Sequence, residues 1–156
     1  MQQKIALNFK NVDEVLDYAI KKEEEAHEFY SAWAKKLEDK SLVSVFKDLA
    51  NEELKHKGFI LGVKKGAALK PSQEEITDLR ISDYIMDVKA STDMDYQEAL
   101  TVAMQREKEA FKLYSKLAAM AADETMKSTF TALAQEEAKH KLRLEIMYDD
   151  DILKEN

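Results

Sequence analysis

Apolar residues recur at spacings of three and four along most of the chain, the period of a helix that buries one face. Leu16, Ala19, Ala26, Tyr30, Trp33 and Leu37 form one stripe, and Leu42, Phe46, Leu49 and Ile60 form a second. Leu100, Ala103, Ala110, Tyr114, Leu117 and Ala121 repeat the first, and Met126, Phe130, Leu133 and Leu144 repeat the second. The pattern predicts four long amphipathic helices, at about 11–38, 41–65, 95–121 and 124–148. Two short polar breaks, Asp39-Lys40-Ser41 and Asp123-Glu124-Thr125, offer Asp, Ser and Thr as caps for the helices that follow. Connections this short fold the helices back into antiparallel hairpins, 11–65 and 95–148.

The stretch between the hairpins, 66–94, breaks the period with Gly66 and Pro71 and carries a short apolar pattern of its own, Leu79, Ile81, Ile85 and Met86. It reads as a long crossover with a small helix, since a connection of this length rarely stays unstructured in a compact domain. The whole chain, 1–156, is expected to be a single all-α domain, a four-helix bundle of two hairpins.

The two hairpins are copies. Shifted by 84 residues, 12–60 aligns with 96–144 without a gap and with 19 of 49 positions identical. Among the identities are Glu23 and Glu107, and the blocks NEELKHK at 51–57 and QEEAKHK at 135–141. A residue turns about 100° on a helix, so Glu23 falls inside the stripe of Ala19, Ala26 and Tyr30. Glu107 does the same beside Ala103, Ala110 and Tyr114. Glu53 with His56, and Glu137 with His140, likewise interrupt the stripes of the second helices. Glu23 and His56 are equidistant from the first turn, as Glu107 and His140 are from the second, so each first-helix Glu should stand level with its own Glu-x-x-His.

Composition narrows what six polar groups in one core can be. Three Gly and one Pro agree with long helices, and a net charge of −7 argues against a nucleic-acid partner. There is no cysteine, so disulfides, thiolate chemistry and Cys-ligated metals are excluded. The opening residues MQQKIALNF lack the apolar run of a signal peptide, and no window approaches the roughly 20 apolar residues of a membrane span. A soluble cytoplasmic protein is expected. Four carboxylates at one depth need a positive counterpart, because a bare buried charge costs several kcal/mol or more. Glu23, Glu53, His56, Glu107, Glu137 and His140 suit two metal ions of the iron or manganese kind, with zinc a further candidate.

Other repeated or motif-like positions carry less. Glu24-x-x-His27 has the same spacing, but its counterparts are Lys108 and Phe111, and Glu24 lies off the stripe; His27 reads as a flank residue. Tyr30 and Tyr114 lie two helical turns beyond Glu23 and Glu107. They are candidate catalytic residues, whose hydroxyls orient a carboxylate or supply a proton, and equally ordinary core aromatics.

The pattern Glu23, Glu53-x-x-His56, Glu107, Glu137-x-x-His140 resembles the ferritin-like di-iron carboxylate proteins. More closely, AIKKEEEAHEFY at 19–30, AMQREKEAFKLY at 103–114 and the two L-A-x-E-E-x-K-H blocks resemble the di-iron domain of the rubrerythrin family. The resemblance covers both hairpins. It implies a ferritin-like four-helix bundle whose two iron ions reduce hydrogen peroxide or dioxygen, and a homodimer. Two departures stand out: many members carry a Cys-ligated rubredoxin module, which a chain without cysteine cannot, and many have a further Glu where this chain has Ala110. Electrons would therefore come from an external donor protein, rubredoxin-like or other. The same residues leave two alternatives open, an Fe(II)-oxidising protein of the storage kind and a catalase-like di-manganese enzyme.

Overall fold

The computed structural model describes residues 12–65, 78, 80–83, 93–121 and 123–154. It has four long helices, α1 Val12–Lys36, α2 Lys40–Val63, α3 Tyr96–Met120 and α4 Glu124–Tyr148, and no strand among the described residues. A 3-10 turn at Ile81–Asp83 lies in the crossover, and α4 runs on into a π-helical turn, Asp149–Leu153. Each long helix starts and stops within about two residues of the sequence expectation. Of the expected crossover helix only the turn at Ile81–Asp83 is described; Gly66, Pro71, Leu79, Ile85 and Met86 lie outside the described residues.

Aspartate, and not the neighbouring Ser or Thr, caps α2 and α4. Asp39 Oδ1 accepts the Ser41 and Leu42 amides at 2.8 and 3.2 Å, and Asp123 Oδ1 accepts the Met126 amide at 2.8 Å. Asp95 opens α3 with a reciprocal pair: its side chain accepts the Glu98 amide while Glu98 Oε1 accepts the Asp95 amide. A short carboxylate reaches the first orphan amides without leaving extended backbone, and its charge suits the positive end of the helix.

Hydrogen bonds from the Ser41 hydroxyl and from the Leu42 and Ser41 amides hold the Asp39 carboxyl below its ordinary value of 3.8. A carboxyl whose folded pKa is depressed stabilises the fold above its unfolded pKa and loses that contribution as pH falls through the lower folded value. In an NMR acid titration the Ser41 and Leu42 amide resonances are expected to move with a midpoint under pH 3.8. A midpoint at or above that value would show that the cap does not form.

The chain divides into two compact units, residues 1–67 with the first hairpin and 68–156 with the second. Within the first, three contacts from α1 to α2 join residues nearly equidistant from the turn. Lys64 Nζ reaches Asp17 at 2.6 Å, Lys57 Nζ reaches Glu24 at 2.7 Å, and the Tyr30 and Phe46 rings meet edge to face at 5.9 Å. Within the second, Tyr96 Oη donates to Asp151 at 2.7 Å, Gln97 Nε2 to Tyr148 Oη at 3.0 Å, and the Tyr114 and Phe130 rings stack at 6.3 Å. Both hairpins are thus antiparallel in the register that the turns impose.

The apolar stripes are the buried surface. Leu16, Ala19, Phe46, Leu49 and Ile60 in the first hairpin, and Leu100, Ala103, Leu133 and Leu144 in the second, are almost fully buried. Ala26, Leu37, Leu42, Ala110, Leu117, Ala121 and Met126 lie at the margins of the stripes and are half-buried.

Candidate metal centre

Each hairpin places one carboxylate of its first helix opposite a Glu-x-x-His on its second. In the first, His56 Nδ1 stands 3.7 Å from Glu23 Oε2 and 3.7 Å from Glu53 Oε1. In the second, His140 Nδ1 stands 3.6 Å from Glu107 Oε1, and Glu137 is buried three residues before it on α4. None of the six side chains is more than 3% exposed. Glu53 with His56, and Glu137 with His140, each offer a buried atom of the kind that holds a metal ion.

The separations bear on what these groups are for. At 3.6–3.7 Å a ring nitrogen and a carboxylate oxygen are too far apart to hydrogen-bond each other. Two ligand atoms that each lie about 2.0–2.2 Å from a shared ion are about 2.8–3.8 Å apart when they subtend about 90–120° at it. The imidazole and carboxylates of each hairpin fit that spacing. Two carboxylates and one neutral imidazole per hairpin also balance one divalent ion, whereas two carboxylates outnumber the single positive charge that a protonated imidazole could supply. The donor set is oxygen and nitrogen only, which suits iron, manganese or zinc.

Tyr30 and Tyr114 are each 1% exposed and pack on the copied Phe46 and Phe130. Their rings are core aromatics.

His27 is a more constrained residue than its flank position suggests. It is half-buried, and its Nδ1 lies 2.8 Å from the Ala50 carbonyl oxygen of α2. A carbonyl only accepts, so Nδ1 carries the proton of this hydrogen bond. The second hairpin has Phe111 there, 39% exposed.

Sequence reasoning missed a second group of buried charges in the second hairpin. Glu145 is 0% and Lys141 7% exposed on α4, and both contact the crossover. The repeat gave no signal for Glu145, which lies one position past the stretch over which the halves align.

Helices in two duplicated hairpins, each with a buried Glu, Glu, His set, place the chain among the all-α ferritin-like carboxylate proteins. The Rubrerythrin family model matches residues 14–148, and the chain belongs to that family. Comparison with curated proteins and with solved structures gave no significant match. Family membership and the buried carboxylate and imidazole groups together support a metal-binding protein of the di-iron kind. No helix among the described residues is long and apolar enough to cross a membrane.

Proposed function

We propose that the chain reduces hydrogen peroxide, or dioxygen, at a pair of iron ions, with electrons supplied by a separate donor protein. On this reading the two hairpins act within one domain, and Glu23, Glu53, His56, Glu107, Glu137 and His140 hold the irons. The observation that carries it is the duplicated set itself, a buried imidazole nitrogen and carboxylate oxygens at the spacing of ligands to a shared ion.

The iron pair would supply two electrons in one place, which is what conversion of one peroxide and two protons into two waters requires. The protein side of the chemistry falls to its residues. The four carboxylates match the charge of two ferrous ions, so the interior stays neutral. With Nδ1 facing the carboxylates, His56 and His140 would carry their proton on Nε2. The buried Tyr30 and Tyr114 hydroxyls are the groups proposed to orient a carboxylate or deliver a proton. No thiolate lies within these 156 residues, so electrons must come from another carrier.

The test is anaerobic Fe(II) loading and desalting, followed by rapid mixing with peroxide or with dissolved oxygen. About two irons per chain are expected, fewer in His140→Ala. Peroxide should oxidise them faster than oxygen does, at about one peroxide per two irons, with the iron retained. Iron that leaves the protein after oxidation would replace this reading with Fe(II) oxidation for storage. A wild type that holds no iron would end both.

A further inference from the structure

The helix that holds Glu53 and His56 on its buried side carries an apolar surface on its outer side. Leu54, Phe59 and Leu61 of α2 are 43%, 41% and 42% exposed. Gly58 lies among them, and a Cβ placed on it would meet nothing within 4 Å, so the surface is open there. Phe59 also reaches inward. Its ring centroid lies 6.5 Å from that of His56, with 30° between the two planes. His56 is 3% exposed, so one aromatic side chain joins solvent to a buried imidazole.

Lysines border this surface. Lys47, Lys55 and Lys65 are exposed and make no ion pair among the described residues. Lys57 and Lys64, turned towards α1, are matched with Glu24 and Asp17 instead. The acids on the outer side of α2, Asp48 and Glu52, are already engaged. At about 100° per residue the three lysines, Leu54, Gly58, Phe59 and Leu61 share roughly 160° of the helix surface. An unpaired cationic stripe runs against the net charge of −7 of the whole chain. The second hairpin does not repeat it. The counterparts of Lys47, Gly58 and Phe59 are Thr131, Leu142 and Arg143, and that of Lys55 is Lys139, which pairs with Glu136 at 3.3 Å.

Single exposed apolar residues are ordinary, but an apolar surface rimmed by unpaired charge of one sign marks a place for a partner. The sign of the charge selects an acidic partner and would steer it in. The contact between Phe59 and His56 indicates what that partner brings. A protein seated over Phe59 has one ring between itself and the imidazole, on a helix only about 10–12 Å across with its side chains.

We propose that this face of α2 docks the acidic electron-carrier protein that reduces the iron pair, with Phe59 as the contact above His56 and Lys47, Lys55 and Lys65 guiding the approach; this rests on the iron reading above. Two carrier molecules, each oxidised by one electron, return the two electrons that one peroxide removes. Phe59 is neither oxidised nor reduced; it is a positioning residue that holds the carrier at short range.

The test uses the full chain and, as probe, a rubredoxin of net negative charge. In calorimetry with the oxidised probe, Lys55→Glu should weaken binding about tenfold and Phe59→Ala about fivefold or more. Raising the ionic strength should weaken binding by wild type more than by Lys55→Glu. Amide resonances between residues 47 and 65 of the metal-free chain should shift on addition of the probe. With iron loaded, both variants should be reduced more slowly by reduced rubredoxin, by the same factors, relative to reduction by dithionite, which is small enough to need no docking face. Shifts confined to another face, or unchanged affinity in both variants, overturn the docking and leave the iron reading standing. A change in sedimentation of the chain alone on Phe59→Ala would mean that the face joins two copies, and overturns it as well. A wild type that holds no iron overturns the iron reading, and electron delivery with it, whether or not rubredoxin binds.

Discussion

Saturating zinc or manganese is expected to raise the melting temperature by about 10 °C, and a chelator to return it. The chain buries Glu23, Glu53, Glu107 and Glu137 at 2% exposure or less, with His56 3.7 Å from Glu23 and Glu53 and His140 3.6 Å from Glu107. Removing a carboxylate from water costs several kcal/mol unless a partner compensates. A metal ion supplies that compensation in the folded chain alone, because the unfolded chain has no cysteine and no preformed ligand set. Free ligand at about a thousand times its Kd stabilises by about 4 kcal/mol, and a domain of about this size shifts by roughly 2–4 °C per kcal/mol. Differential scanning fluorimetry with and without metal reads the shift directly. A melting temperature indifferent to every divalent ion tried would mean that the six residues do not form a metal site.

Glu137→Gln is expected to raise the stability of the apo protein while abolishing most of its response to metal. Glutamine keeps the shape of the side chain and removes one of four buried carboxylate charges, each of which costs several kcal/mol to take out of water. The same change removes a ligand oxygen. Were Glu137 instead one half of a structural ion pair, its loss would leave a partner stranded and destabilise by about 3–5 kcal/mol. The sign of the apo shift therefore separates a site kept for binding from a pair kept for folding. Chemical denaturation of metal-free wild type and variant measures it, and a destabilised apo variant would count against the site.

Much of this was readable in the chain because two regularities reinforce each other. The helical period located α1 to α4 to within about two residues, and the 84-residue repeat showed which of many glutamates break an apolar stripe twice. Glu53 and Glu137 are conspicuous for that reason, and both are buried. The caps were half-legible. The polar breaks were evident, but Ser41 and Thr125 looked as suitable as Asp39 and Asp123, and only geometry decides between adjacent oxygens.

What the period could not show are contacts between residues with no common rhythm. Lys141 meets Asp78, and Glu145 meets the Ile81 amide, across 63 and 64 residues. Neither pair has a copy in the first hairpin. His27 shows the same limit. The repeat marked it as a flank residue and not a ligand, while its partner is a backbone carbonyl, that of Ala50, which no sequence pattern marks.

Each hairpin contains a complete set of two carboxylates and an imidazole, and this bears on the history of the protein. A single ancestral hairpin pairing with its own copy would already present six donors to two ions, with no connecting segment at all. Joining the two in one chain released them from identity, since a change in one half no longer changed the other. Positions where the halves now disagree, such as His27 against Phe111, then date from after the fusion, when each half became free to change by itself.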